Sequence, residues 1–241
     1  MPGRLLRVRS YLQSGKSSGA IRTTPNSTYL ILAAVGGLIG AVLMALVMMG
    51  ATQAMGLGFT AMMCAMAIAV LGLNPANAGS LSVIIPGLLL HLVDGIVIGL
   101  VVVAITLGVK HKLLITNGKN GVLIGLLAGF IVWLIFGLPI LLFAMPHPMA
   151  EVAAMMMPAK PGMTMAQAES EAMMMLGGMM GQLAGVFLIG HLLWGVSLGA
   201  IVGFGVSRRR SLSKKEFKCP SCGASFNTQE ELTAHGKMHM K

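Results

Sequence analysis

Four residues close to the end of this 241-residue chain have the types and the spacing to hold a metal ion. Cys219 and Cys222 form C-x2-C, and His235 and His239 form H-x3-H after a gap of twelve residues. Thiolates separated by two residues can meet at a hairpin, and histidines four apart share one helix face, so two sulfurs and two nitrogens can converge on a tetrahedral Zn2+. Phe217, Phe226 and Leu232 add three apolar positions around the set. About 25 residues cannot bury a stabilising core by themselves, so one structural zinc is the expected cofactor. Thr228 and Glu231 fit a capping box at the start of the helix that would carry the histidines.

The whole pattern, Phe217-x-Cys219-x2-Cys222-x3-Phe226-x5-Leu232-x2-His235-x3-His239, resembles the two-cysteine, two-histidine zinc-finger family over residues 217–239. The resemblance implies a small ββα fold around zinc. By family analogy the base-reading positions fall on Thr228, Glu231 and Ala234, none of which is Arg, Lys, Asn or Gln. Glu230 and Glu231 would repel phosphates, and one finger covers only about 3 bp. The finger is therefore expected to bind protein or to be structural, with DNA an unfavoured partner.

A second set lies in apolar surroundings. His91-Leu-Val-Asp94-Gly95-Ile-Val-Ile-Gly99 recurs as His191-Leu-Leu-Trp194-Gly195-Val-Ser-Leu-Gly199, so both segments read H-L-x-x-G-x-x-x-G. His91 and His191 stand 9 and 10 residues into their apolar runs, which puts both about 14–15 Å below the outer edge. Asp94, three residues after His91, shares its helix face and could pair with it. Ionisable groups are expensive inside a membrane span, and three readings of His91, Asp94 and His191 stay open. Each histidine could hydrogen-bond a neighbouring helix. The pair could ligate a metal or the two faces of a haem. A relay moving protons or cations is the third, weakened because Trp194 replaces the acid in the second copy.

The stretch from Met145 to Met180 contains 12 methionines, with His147 near its start. Thioethers are soft ligands that select Cu(I), so Met145, His147, Met149, Met155, Met173 and Met179 form a candidate copper-collecting face. Methionine is equally an adaptable apolar filler, and residues 164–180 read as a short amphipathic helix on a membrane surface with Glu169 and Glu171 facing water. No nucleophile and base arrangement, phosphate-cradling loop or carboxylate pair is present, so no enzymatic activity is expected.

The elements that must position these groups are hydrophobic helices. The chain is 56% hydrophobic and 10% charged, with mean hydropathy +0.83, far from the roughly 25% charged composition of soluble domains. Apolar runs able to cross a bilayer occur at 29–50, 82–109, 122–144 and 181–206. Of the 17 Lys and Arg, 16 fall in three blocks, at 4–22, 110–119 and 208–241. Basic blocks stay cytosolic, so an even number of crossings is required between any two of them. Four spans with both termini cytosolic follow, and 54–73 is expected to be re-entrant or interfacial; five crossings is the alternative. Basic flanks also explain the net charge of +10 without nucleic acid.

Gly36-x3-Gly40 in the first run matches Gly125-x3-Gly129 in the third, which extends the histidine repeat to two parallel halves. Small residues four apart let helix backbones approach closely, within one chain or across a homo-oligomer. The expected fold is an all-α membrane bundle of four spans from two parallel repeats, plus the re-entrant or interfacial segment and the ββα finger. Its parts are a basic arm (1–28), repeat one (29–109), a basic loop (110–121), repeat two (122–206) with an outer Met-rich segment (145–180), a basic linker (207–216) and the finger (217–241). A lone finger on such a tail is similar to an arrangement found in archaeal membrane proteins, and the membrane part resembles small uncharacterised four-span families. The expected function is a non-enzymatic subunit or adaptor in a membrane complex, embedded in lipid, whose finger binds a protein partner. A copper-handling or haem-bearing membrane protein and a membrane-tethered nucleic-acid-binding regulator are the alternatives.

Overall fold

The computed structural model describes residues 26–109, 115–156, 161–213, 217–226 and 229–239. The arm through residue 25, Lys110, Lys112, Met157, residues 214–216 and Thr228 lie outside the described residues, and so does the capping box expected of Thr228. The chain divides into a helical unit, Asn26–Ser211, and a C-terminal unit from Leu212 onward.

The helical unit contains α1 (Asn26–Ala54), α2 (Ala61–Leu71), α3 (Leu81–Gly108), α4 (Gly118–Val132), α5 (Pro146–Met156) and α6 (Met165–Ser213). Two π-helical stretches, Trp133–Gly137 and Ile140–Ala144, carry α4 on to Ala144. Pro139 stands between them and has no N–H to offer the preceding turn, which the wider π turns accommodate. Among the described residues four helices are long and apolar enough to cross a membrane: α1, α3, extended α4, and α6 as far as Arg209. At 11 residues, α2 is about 16 Å long, short of a hydrocarbon core of about 30 Å. Residues 54–73 therefore supply no fifth helix of that length among the described residues. The left-handed Gly72, φ 64°, ends α2, its N–H donating to the Ile68 carbonyl.

Two helix starts extend beyond the apolar runs because side chains cap them. Asn117 Oδ1 accepts the Asn120 N–H at 2.9 Å, which starts α4 at Gly118 rather than at 122. Thr164 and Gln167 form a reciprocal box, with the Gln167 N–H donating to Thr164 Oγ1 at 3.3 Å and the Thr164 N–H to Gln167 Oε1 at 2.8 Å. From there α6 runs unbroken for 49 residues. The separate surface helix expected over 164–180 is corrected to the first third of α6: the stretch has no proline, and Gly177, Gly178 and Gly181 do not interrupt it.

Packing in this unit reverses the polarity of a soluble protein. On α3, Val83, Gly87, His91, Gly95, Gly99 and Val103 face inward, while Ile85, Leu89, Val93, Val97, Val101 and Ile105 are exposed. The four-residue period is the same on both faces, with small residues inside and large ones outside. Gly37 of α1 faces the Gly95 carbonyl, and Gly99 the Ala33 carbonyl. Gly121, Gly125 and Gly129 of α4 face the carbonyls of Gly199, Gly195 and His191 on α6. Gly36 and Gly40 then seat α1 against Leu198 and Trp194 of α6. Side chains longer than hydrogen do not fit these seams, which is how helices pack closely in a medium as apolar as their own side chains.

The ends of this unit differ in charge. The Tyr29 hydroxyl donates to the Ile115 carbonyl at 3.2 Å, and Arg209 donates to the Thr28 hydroxyl, so the first turn of α1, the approach to α4 and the end of α6 meet. At the other end His147 of α5 lies 3.5 Å from Glu151 and 3.4 Å from Glu169 of α6.

The C-terminal unit holds β1 (Phe217–Lys218) and β2 (Ser225–Phe226), paired antiparallel with Phe217 opposite Phe226, followed by α7 (Gln229–Gly236).

Candidate metal centre

The two strands of the C-terminal unit are joined by a turn that carries both cysteines. The Cys219 N–H donates to the Ala224 carbonyl, and the Gly223 N–H returns to the Cys219 carbonyl, both at 2.8 Å. Gly223 has φ +73°, a conformation glycine adopts without cost, and this curls the backbone around the sulfurs. The helix α7 and the turn after it present His235 and His239 four residues apart. The four ligand atoms lie within 4.8 Å of one another. Cys222 Sγ is 3.1 Å from His235 Nε2, and the Nε2 atoms of His235 and His239 are 3.0 Å apart. Zinc bonds of 2.0–2.3 Å in a tetrahedron imply ligand separations of about 3.3–3.8 Å, close to this arrangement. Phe226 packs its ring 4.6 Å from that of His235 and so holds one ligand against the hairpin.

Cys219 is 3% exposed. Burial raises its thiol pKa, but hydrogen bonds from the Ser221 and Cys222 backbone outweigh this and bring it below the usual thiol value. The thiolate is the form that binds metal. The donor set fits zinc, which would supply the folding energy that so small an apolar cluster lacks.

His91 and His191 are brought to one place, a partly open cavity of about 130 Å³ in the helical unit. They are 8% and 9% exposed. The His91 Nε2–H donates to the Ala41 carbonyl at 3.1 Å, across to α1, rather than to Asp94. The His191 Nδ1–H donates to the Phe187 carbonyl one turn back at 2.7 Å. Asp94 lines the same cavity but is exposed, and forms no ion pair with His91 among the described residues. The direct His91–Asp94 pairing envisaged from spacing gives way to this interhelical bond.

The residues of the copper-collecting face expected of the Met-rich segment differ in burial. Met145 reaches the cavity and Met149 is buried, while Met155 and Met173 are exposed at 40% and 36%. His147 turns to Glu151 and Glu169, and its nitrogen and their carboxylate oxygens lie within 4.8 Å of one another. Met179, half-buried, is not among the residues lining the cavity. Sequence reasoning also missed Met44, Met62 and Met66, which line the cavity beside the histidines. A signal was present: Met62 and Met66 are four apart and share one face of α2.

Comparison with known proteins bears on the tail alone. Residues 216–241 match the family model of the C2H2-type zinc finger. No curated protein and no solved structure matches the chain.

Proposed function

We propose that this chain is a multi-pass membrane protein without enzymatic activity, a subunit or adaptor of a membrane complex that docks a protein partner through a zinc finger on the cytosolic side. The observation that carries the reading is the inverted packing of the four long helices, with glycine and alanine inside and leucine, isoleucine and valine outside, joined in one chain to a complete Cys2His2 ligand set. Such an apolar surface far exceeds the patches of a few hundred Å² that soluble monomers expose. Lipid covers it at no cost. The charge distribution supports cytosolic termini: Arg208, Arg209 and Lys119 belong to the end of the helical unit where Thr28, Tyr29 and Ile115 meet, and Glu151 and Glu169 lie at the other.

Protein rather than DNA is the finger's partner on chemical grounds. Gln229, Glu230, Glu231 and Ala234 are exposed on α7, and two carboxylates in the first turn oppose a phosphate backbone. The test uses the full chain, zinc-loaded, in detergent. Fluorescence anisotropy with labelled duplex DNA at low and moderate salt is expected to show no saturable binding, while crosslinking in the native membrane is expected to give a discrete adduct lost in the Cys219→Ser variant. Saturable DNA binding that weakens steeply with salt would overturn the protein-docking reading in favour of a tethered regulator.

A further inference from the structure

We infer that the partly open cavity of the helical unit lined by His91 and His191 is a binding site for a soft monovalent cation, with cuprous ion as the ligand its donors fit. Met44, Met62, Met66, Met145, His91 and His191 line this one cavity. They come from α1, α2, the junction of α4 and α5, α3 and α6, so the fold assembles the set from distant parts of the chain. Met44, Met62 and Met145 are 8%, 2% and 3% exposed, and both histidines are nine-tenths buried.

The histidines are held as metal ligands are held. Each donates one ring N–H to a backbone carbonyl, His91 through Nε2 to Ala41 and His191 through Nδ1 to Phe187. Such a bond fixes ring and tautomer and leaves the other nitrogen, His91 Nδ1 or His191 Nε2, with its lone pair available. Neither of those nitrogens has a hydrogen-bond partner among the described residues. Room beside His191 is made by Gly137 at the end of the first π-helical stretch, where a Cβ would sit 2.9 Å from His191 Nε2. The Trp194 indole N–H, also in the cavity wall, is buried and has no partner among the described residues. An apolar filler would leave these polar atoms unmet, whereas a small hydrated ion meets them.

The donor types choose the ion. Thioethers are soft and select Cu(I), imidazole tolerates it, and hard divalent ions prefer oxygen sites. Asp94 is the carboxylate in the lining, so one negative charge balances one positive charge and leaves a divalent ion uncompensated in an apolar wall. The volume of about 130 Å³ admits an ion with a few waters. This inference goes beyond the docking reading and stands independently of it.

The test is anaerobic titration of the full-length, zinc-loaded chain in detergent with Cu(I), against a chromogenic Cu(I) chelator, with Ag(I) as a redox-inert second probe. The wild type is expected to retain one Cu(I) per chain besides its zinc, with sulfur and nitrogen neighbours in the X-ray absorption spectrum. Met62→Leu/Met145→Leu keeps side-chain volume, and near-UV circular dichroism verifies its packing; it is expected to weaken binding more than about tenfold. His191→Gln, which keeps a polar group at the site, is expected to lower the nitrogen contribution to the absorption spectrum and to weaken binding, and serves should the methionine variant fail to fold. Cys219→Ser/Cys222→Ser, Met155→Leu/Met173→Leu and His147→Ala are expected to retain the ion. Absence of retained Cu(I) in the wild type would overturn the inference and leave a hydrated packing gap. Full retention by the folded cavity variants, or loss caused by the finger variant instead, would equally overturn it and assign the metal to the thiolates or the outer methionines.

Discussion

Replacing Gly195 by alanine tests whether the α4–α6 seam holds the helical unit together. The new Cβ would overlap the Gly125 carbonyl oxygen and lie 3.0 Å from Gly129 Cα, where ordinary contact begins near 3.4 Å. Both obstacles are backbone, so relief requires α6 to move off α4. The hydrogen that the Cβ replaces points at that carbonyl, a Cα–H···O contact worth about 0.5–1 kcal/mol. Six glycines approach the opposing backbone along the seam: Gly121, Gly125 and Gly129 on α4, and Gly195, Gly199 and Gly203 on α6. A gap of 0.5–1 Å forfeits a quarter to a half of each contact's attraction. Over six contacts that is about 1–3 kcal/mol, offset by about 1 kcal/mol of added helix propensity. Gly185→Ala on the same helix is the control, because a Cβ there meets nothing within 4 Å and the propensity gain stands alone. The two variants are therefore expected to differ by about 2 kcal/mol, with Gly195→Ala the less stable. Reversible unfolding in mixed micelles, followed by far-UV circular dichroism, measures the difference. Equal midpoints for Gly195→Ala and Gly185→Ala would refute the close-packed seam.

Three further outcomes are expected. Cys219→Ser should abolish zinc retention, measured as loss of about one zinc per chain by elemental analysis, while leaving unfolding of the helical unit unchanged. Tyr29→Phe removes the donor to the Ile115 carbonyl and should cost about 1 kcal/mol in the same micelle assay. The His147→Ala variant should change stability by less than about 1 kcal/mol, since its ring is 67% exposed and its carboxylate partners face water in part; a larger loss would mean that the bridge from α5 to α6 is structurally essential.

Sequence patterns that repeat a local physical requirement were legible. The C-x2-C and H-x3-H spacing encodes a hairpin and a helix face, and Cys219, Cys222, His235 and His239 do converge. Four apolar runs of sufficient length became four long helices, and Gly95, Gly99, Gly195 and Gly199 lie in seams, as small residues four apart imply. The cavity was only half legible. His91 and His191 stood out because polar groups in apolar runs are conspicuous, but Met44, Met62 and Met66 look like any other apolar filler until α1 and α2 are folded against α3. In the Met-rich segment abundance in sequence says nothing of direction, and a helix turns neighbouring residues to different sides, so that Met149 is buried while Met155 and Met173 are exposed. Residues 164–180 and 181–206 read as two elements because Gly177, Gly178 and Gly181 stand at their junction, while a helix continues as long as its backbone bonds do.

The π-helical stretches of α4 have a consequence for phase. An α-helix advances about 100° per residue, and a π turn absorbs one residue more than an α turn. Trp133–Gly137 and Ile140–Ala144 thus act as two phase shifts that decide which way everything after them points. Met145, immediately beyond the second, owes its direction into the cavity to both. Deleting one residue from either stretch would let the helix relax to ordinary geometry and turn Met145 away by about 100° with its chemistry untouched.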